Sequence, residues 1–227
     1  MKRRGIIITN ICIAFVLVGL TVAVFTADLS GVFLTVSAPV SHGNRNRNNV
    51  SLMISVCEDS DYLVPLKHIL MERDIDATWF LSGSWVARNM EATRIISQAF
   101  EVGNHAYTHR DMRNMSENAK RLELQNTRQL IHSVTGMWTQ LFHPPYGQFN
   151  RTTLRIAENL DYITILYSHD ASHGNQNAVF TRATQNVGNG DLILLKPSEA
   201  VVAALPSIID NWLIQGFNIV AVSDNIS

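Results

Sequence analysis

His105 and His109 stand four residues apart in Gly103-Asn104-His105-Ala106-Tyr107-Thr108-His109, just after a short apolar run. Two imidazoles so spaced can reach one metal ion from the same side. Taken alone the pair is a weak signal, since His-x-x-x-His more often marks one face of a helix. Other polar residues follow apolar runs in the same way: Glu58 and Asp59 after Val50 to Val56, His143 after Leu141-Phe142, Asp170 after Tyr162 to Tyr167, and Lys196 after Asp191 to Leu195. Carboxylates and imidazoles gathered at strand ends are the raw material of a metal hydrolase, in which the metal activates water.

The elements that must position them alternate. The pattern predicts strands at 50–56, 75–81, 101–103, 141–142, 162–167, 191–195 and 217–222. Helices are predicted at 63–73, 85–100 (with Val86, Met90, Ile95 and Ala99 inward), 116–134, 150–160 and 206–215. Ser116 reads as an N-cap, Gly136 as a C-cap and Gly216 as a helix stop. The run 191–195 is almost wholly apolar, as in a strand buried on both faces. Such alternation implies a parallel sheet, either a barrel or an open doubly wound sheet, with chemistry at the C-terminal strand ends.

The chain has 227 residues with 18 Lys and Arg against 19 Asp and Glu, so its net charge of −1 points to no nucleic-acid partner. Lys2-Arg3-Arg4 precedes an uncharged apolar run, residues 5–27. That is a signal peptide, with small residues at Thr21 and Ala23 for cleavage, or an uncleaved signal anchor. Either places the protein outside the cytoplasm, at a cell surface or wall. Residues 1–27 are therefore a targeting segment, 28–49 a linker rich in Asn and Arg toward its end, and 50–227 the domain. Four Asn-x-Ser/Thr sequons, at Asn49, Asn114, Asn150 and Asn225, are compatible with export. Cys57 is the lone cysteine of the domain, so no internal disulfide can form there.

With these residues in view, residues 50–224 resemble the polysaccharide deacetylase family, carbohydrate esterase family 4, which includes chitin deacetylases. The segment from Gly103 to His109 is similar to the family's paired-histidine motif. Phe142-His143-Pro144-Pro145-Tyr146-Gly147 resembles its Arg-Pro-Pro-Tyr-Gly motif, and Asp76-Ala77-Thr78-Trp79-Phe80 its second strand. The resemblance implies an α/β fold, a distorted (β/α) barrel of the deacetylase type. It implies zinc or another divalent metal held by His105, His109 and a carboxylate, a second carboxylate as base, a late-strand histidine as acid, and the backbone N–H of Tyr146 as an oxyanion contact.

The departures are as informative as the matches. The first motif should read Thr-Phe-Asp-Asp-Gly, and Ser55-Val56-Cys57-Glu58-Asp59-Ser60 fits it in two registers. In one, Cys57 takes the base position and Glu58 binds metal. In the other, Glu58 is the base and Asp59 the ligand. The strand pattern and the distance to Ala77-Thr78-Trp79-Phe80 favour the first. A thiol of ordinary pKa about 8.5 is a poor base and, once ionised, a metal ligand itself. His143 stands in place of the motif's Arg and loses its permanent charge and fork. His173 and Gly174 replace an Asp that tunes the acid and a Trp that walls the acetyl pocket. Lys196 takes the position of the acid histidine, and an amine of ordinary pKa about 10.4 is far from useful there.

Two functions follow from the resemblance. One is an inactive or very weak relative that binds or organises chitin or a related N-acetylated glycan, with or without a metal. The other is a working metal-dependent N-deacetylase. Trp79, Trp85, Trp138 and Trp212 are candidates for sugar stacking, with core packing the ordinary alternative.

Overall fold

The computed structural model describes residues 37–227, so the targeting segment lies outside the described residues. Among the described residues no helix is long and apolar enough to cross a membrane.

The strands are β1 (Asn49–Val56), β2 (Thr78–Leu81), β3 (Glu101–Asn104), β4 (Leu141–Phe142), β5 (Ile163–Thr164), β6 (His169–Asp170), β7 (Asp191–Leu195) and β8 (Asn218–Ile219). The helices are α1 (Leu63–Glu72), α2 (Gly83–Arg88), α3 (Met90–Ala99), α4 (Glu117–Thr135), α5 (Arg151–Glu158), α6 (Gln176–Thr184), α7 (Glu199–Ile214) and α8 (Val222–Ile226). Strand pairing is parallel throughout, in the order β5-β4-β3-β2-β1-β7-β6, with β8 also on β1. The path ends at β5 and β6, which do not pair, so the sheet curls into an α/β half-barrel. This is the distorted barrel expected from the sequence.

Alternation along the strands sorts the core into two layers. Val50, Leu52, Ile54 and Val56 of β1 pack outward with Trp79, Leu81, Ile193 and Leu195 under the helices. Met53, Phe80, Leu141, Ile165, Leu192 and Leu194 fill the interior. Gly103 keeps this interior open, because a Cβ there would lie 2.4 Å from the Phe80 ring.

Several elements differ from the sequence reading. The helix expected at 85–100 is two, broken at Asn89 (φ −128°, ψ 46°). The break shifts the phase of α3, so Thr93 and Ile96 face the core while Met90, Ile95 and Ala99 are exposed. The strands expected at 162–167 and 217–222 each shorten to two residues, and α6, α8 and β6 had no clear pattern. Helix α7 starts seven residues earlier than expected and carries Pro206 inside it. The caps match expectation: Ser116 Oγ accepts from Ala119 N–H, and Gly136 closes α4 at φ 77°.

Residues 40–49, read as linker, take part in the fold. Val40 bridges Ile165, and His42 bridges Asp191. The Asp191 carboxylate is buried and accepts from Gly188 N–H (2.8 Å) and His169 Nε2 (3.1 Å), with His42 Nε2 at 3.5 Å. Of the four sequons, the side chains of Asn49 and Asn225 are buried, and that of Asn150 caps α5. Asn114 alone of them is exposed.

Candidate active site

The inward residues continue past the strand ends. After Gly103 the alternation brings His105 inward, after Leu141 His143, after Ile165 Tyr167, and after Leu194 Lys196. A cavity of about 120 Å³ over the interior layer is lined by Ser55, His105, His143, Tyr146, Tyr167, Asp170, His173, Leu194 and Lys196.

His105 is buried and His109 half-buried, their ring centroids 4.7 Å apart. His105 Nδ1 lies 2.7 Å from the His143 carbonyl. A carbonyl only accepts, so Nδ1 carries the proton and Nε2 offers a lone pair. His143 repeats the device, with Nδ1–H donating to Ile165 O at 2.8 Å. The His105 and His143 rings stack at 5.0 Å and 6°. Burial lowers the His143 pKa to about 4. It drives His105 well down, helped by His143 and His109, and lowers His109 as well, helped by the Lys196 ammonium. All three imidazoles are neutral at pH 7, so His143 does not restore the charge of the motif's Arg.

The loop bearing the pair is bent through left-handed conformations at Ala106 (φ 59°) and His109 (φ 51°). Such backbone persists only where its surroundings enforce it. Asn104 Oδ1 accepts from Ala106 N–H at 2.8 Å. Buried Glu123 of α4 accepts from Tyr107 N–H, Thr108 N–H and the Thr108 hydroxyl, each at 2.7 Å. Sequence reasoning missed Glu123, which carries no motif; a carboxylate on the inward stripe of an amphipathic helix was the available signal.

The residues of the first motif make different contacts. Asp59 turns away: its Oδ1 accepts from Asn89 Nδ2 at 2.8 Å, and Arg88 Nε lies 3.8 Å from Oδ2. Its polar contacts are with Asn89 and Arg88, and none is with the histidines. Glu58 lies close enough to His109 to oppose the lowering of its pKa. Cys57 is half-buried, and its pKa is raised by burial and by Glu58 against the pull of Lys196. At neutral pH it is a thiol and accepts no proton from water.

His109 Nε2 is buried without a hydrogen-bond partner, which suits a metal ligand. With His105 Nε2 that makes two donors. Among the described residues no three His, Cys, Asp or Glu side chains stand close enough to hold a metal ion. A catalytic zinc site uses three protein ligands and one open position. The residues as arranged supply two, so the donor set falls short of a resident metal.

Tyr146 lies 4.7 Å from His109, ring to ring, in the left-handed region (φ 58°). The bonds of its turn, Gly147 N–H to Pro144 O and Gln148 N–H to Pro145 O, leave its own N–H unused. Asp170 is turned onto Ser172, accepting from its N–H (3.0 Å) and hydroxyl (2.5 Å). His173 is exposed at the cavity edge.

The sequence pattern of polysaccharide deacetylases matches residues 42–165, more than half of the chain. The chain belongs to this family. It is 28% identical over 190 residues to the uncharacterized protein YlxY of Bacillus subtilis, covering 82% of this chain and 60% of that one. It is 33% identical over 106 residues to chitin deacetylase 2 of Cryptococcus neoformans, covering 46% of this chain and 23% of the relative. The chain thus spans less than two thirds of the length of these relatives. Among solved structures it superposes on a family 4 pseudoenzyme from Bacillus anthracis with TM-score 0.81 and 30% identity, over 84% of this chain and 69% of that one. A mutant of that pseudoenzyme with restored enzymatic activity superposes with the same TM-score and 29% identity, over 84% of this chain and 71% of the mutant.

Proposed function

We propose that this polysaccharide deacetylase-family protein has lost turnover and serves, after export, as a binding or organising protein for chitin or a related N-acetylated glycan. The reading is carried by Cys57, whose thiol pKa is raised by burial, together with Lys196 in the cavity wall; by the family resemblance these two take the base and acid positions. Each acid or base typically contributes about 10²–10⁴-fold, so the loss of both leaves little rate. The incomplete metal set points the same way, and the similarity to a pseudoenzyme supports it.

The active reading, a metal-dependent N-deacetylase, has one observation in its favour: two imidazole nitrogens stand free and close. Acetate release from chitooligosaccharides with excess zinc or cobalt separates the two. Metal-dependent release that is lost in His105→Ala would sink the inactive reading. The inactive reading expects none from the wild type, and gain of turnover in Cys57→Asp/Glu58→Asp/Lys196→His, which restores the family's residues at three positions.

A further inference from the structure

Trp138 behaves unlike the other tryptophans. Trp79, Trp85 and Trp212 are at most 2% exposed, whereas Trp138 is 59% exposed. It precedes β4, at the N-terminal end of the sheet, opposite the histidine cleft. Its indole is stacked on the His132 ring at 3.8 Å and 12°. One face is thereby covered, and the exposure falls on the other face and the edge.

Two grooves flank the ring. One, of about 410 Å³, is lined by Gln125, Asn126, Arg128 and Gln129 of α4. The other, of about 930 Å³, includes Met137 and Gln140. The Arg128 guanidinium lies 3.8 Å over the Tyr162 ring and is engaged there. The amides of Gln125, Asn126, Gln129 and Gln140 are exposed and bond no other side chain among the described residues. A stacked aromatic plate ringed by free neutral amides matches a neutral, hydroxyl-rich, amide-bearing chain, whose rings offer an apolar face and a polar rim. It offers no cluster of cations for a phosphate backbone.

We propose that the Trp138 platform is a second contact site for the N-acetylated polysaccharide. The proposal rests on the glycan-binding reading given above. Two sites at opposite ends of the sheet let one molecule touch two chains or two stretches of one, which raises avidity for an insoluble polymer.

The test uses the full chain in mild detergent, with wild type, Trp138→Ala and Trp138→Phe cosedimented with insoluble chitin. Trp138→Ala should bind about tenfold more weakly, and Trp138→Phe should lie between. A soluble chitooligosaccharide should change the indole fluorescence of wild type and not of Trp138→Phe, because the other described tryptophans are buried. A wild type that binds no chitin overturns the glycan reading and this site with it. A wild type that binds, with Trp138→Ala equal to it and folded by circular dichroism, overturns this site alone. So does a self-association lost in Trp138→Ala while chitin binding is unchanged.

Discussion

Replacing Glu123 by Ala should loosen the loop that carries both histidines. The carboxylate accepts three hydrogen bonds from Tyr107 and Thr108, each 2.7 Å long. Hydrogen bonds to a charged group contribute about 1.5–3 kcal/mol each, and a buried group left unpaired costs about 1–3 kcal/mol. Tyr107 is half-buried and Thr108 exposed, so water recovers the hydroxyl and part of one N–H. The left-handed Ala106 and His109 add strain that the anchor no longer opposes. A net loss of about 2–4 kcal/mol follows, which for a domain of this size lowers Tm by roughly 5–15 °C. Glu123→Gln keeps one carbonyl acceptor and should lose about half as much. Urea and thermal unfolding measure both, and histidine ring resonances report the loop directly. A Glu123→Ala protein within about 0.5 kcal/mol of wild type, with His105 and His109 resonances unmoved, would refute the reasoning.

Acid should destabilise the metal-free protein. The folded pKa of His143, about 4, lies below the unfolded value of about 6.5, so stability is full above pH 6.5 and falls as the unfolded chain takes up the proton first. About 3 kcal/mol should be gone by pH 4, with His105 adding in the same sense; urea unfolding from pH 7 to 4 that shows a flat profile contradicts the neutral buried rings. Asp191→Asn turns an amide N–H₂ toward donors and should cost about 1–3 kcal/mol in unfolding measurements, with no cost counting against a structural role for the His42 and His169 contacts. Lys196→Met removes a cation whose field lowers His105, His109 and His143, so zinc measured by calorimetry should bind Lys196→Met more tightly than wild type. Equal affinities would show that the ammonium does not oppose the metal.

The central fold was legible because its signals are local. The apolar run of β7 and the capped stripe of α4 each announce themselves within one element. The two-residue strand β6 does not, and β5 and β8 are shorter than the runs that announce them, since the hydrogen bonds of all three come from neighbours distant in sequence. The break at Asn89 was hidden for a related reason. Both halves of the segment are good helix, and only the backbone of one residue separates them, which rotates every inward position of α3. Val40 and His42 sit among polar loop residues, and their places in the fold depend on Ile165 and Asp191, far along the chain.

The site shows a sharper limit. Sequence order named the histidine pair, His143, His173 and Lys196, and all of these except His109 line one cavity, with His109 against the ring of His105. Strand pattern and the distance to Ala77-Thr78-Trp79-Phe80 favour Cys57-Glu58 over Glu58-Asp59, although sliding the motif one position leaves a carboxylate in play either way. The registers differ in strand geometry, because a one-residue slip exchanges the two faces of a sheet. Ser55 faces the cavity, Glu58 is near enough to His109 to oppose the lowering of its pKa, and Asp59 is spent on Asn89 and Arg88. The motif therefore carries a half-buried thiol whose pKa is pushed up, within the field of a lysine whose charge disfavours a metal. These changes reinforce one another: without a metal no acid is needed at Lys196, and with an ammonium there the two remaining imidazoles are poorer hosts for a metal.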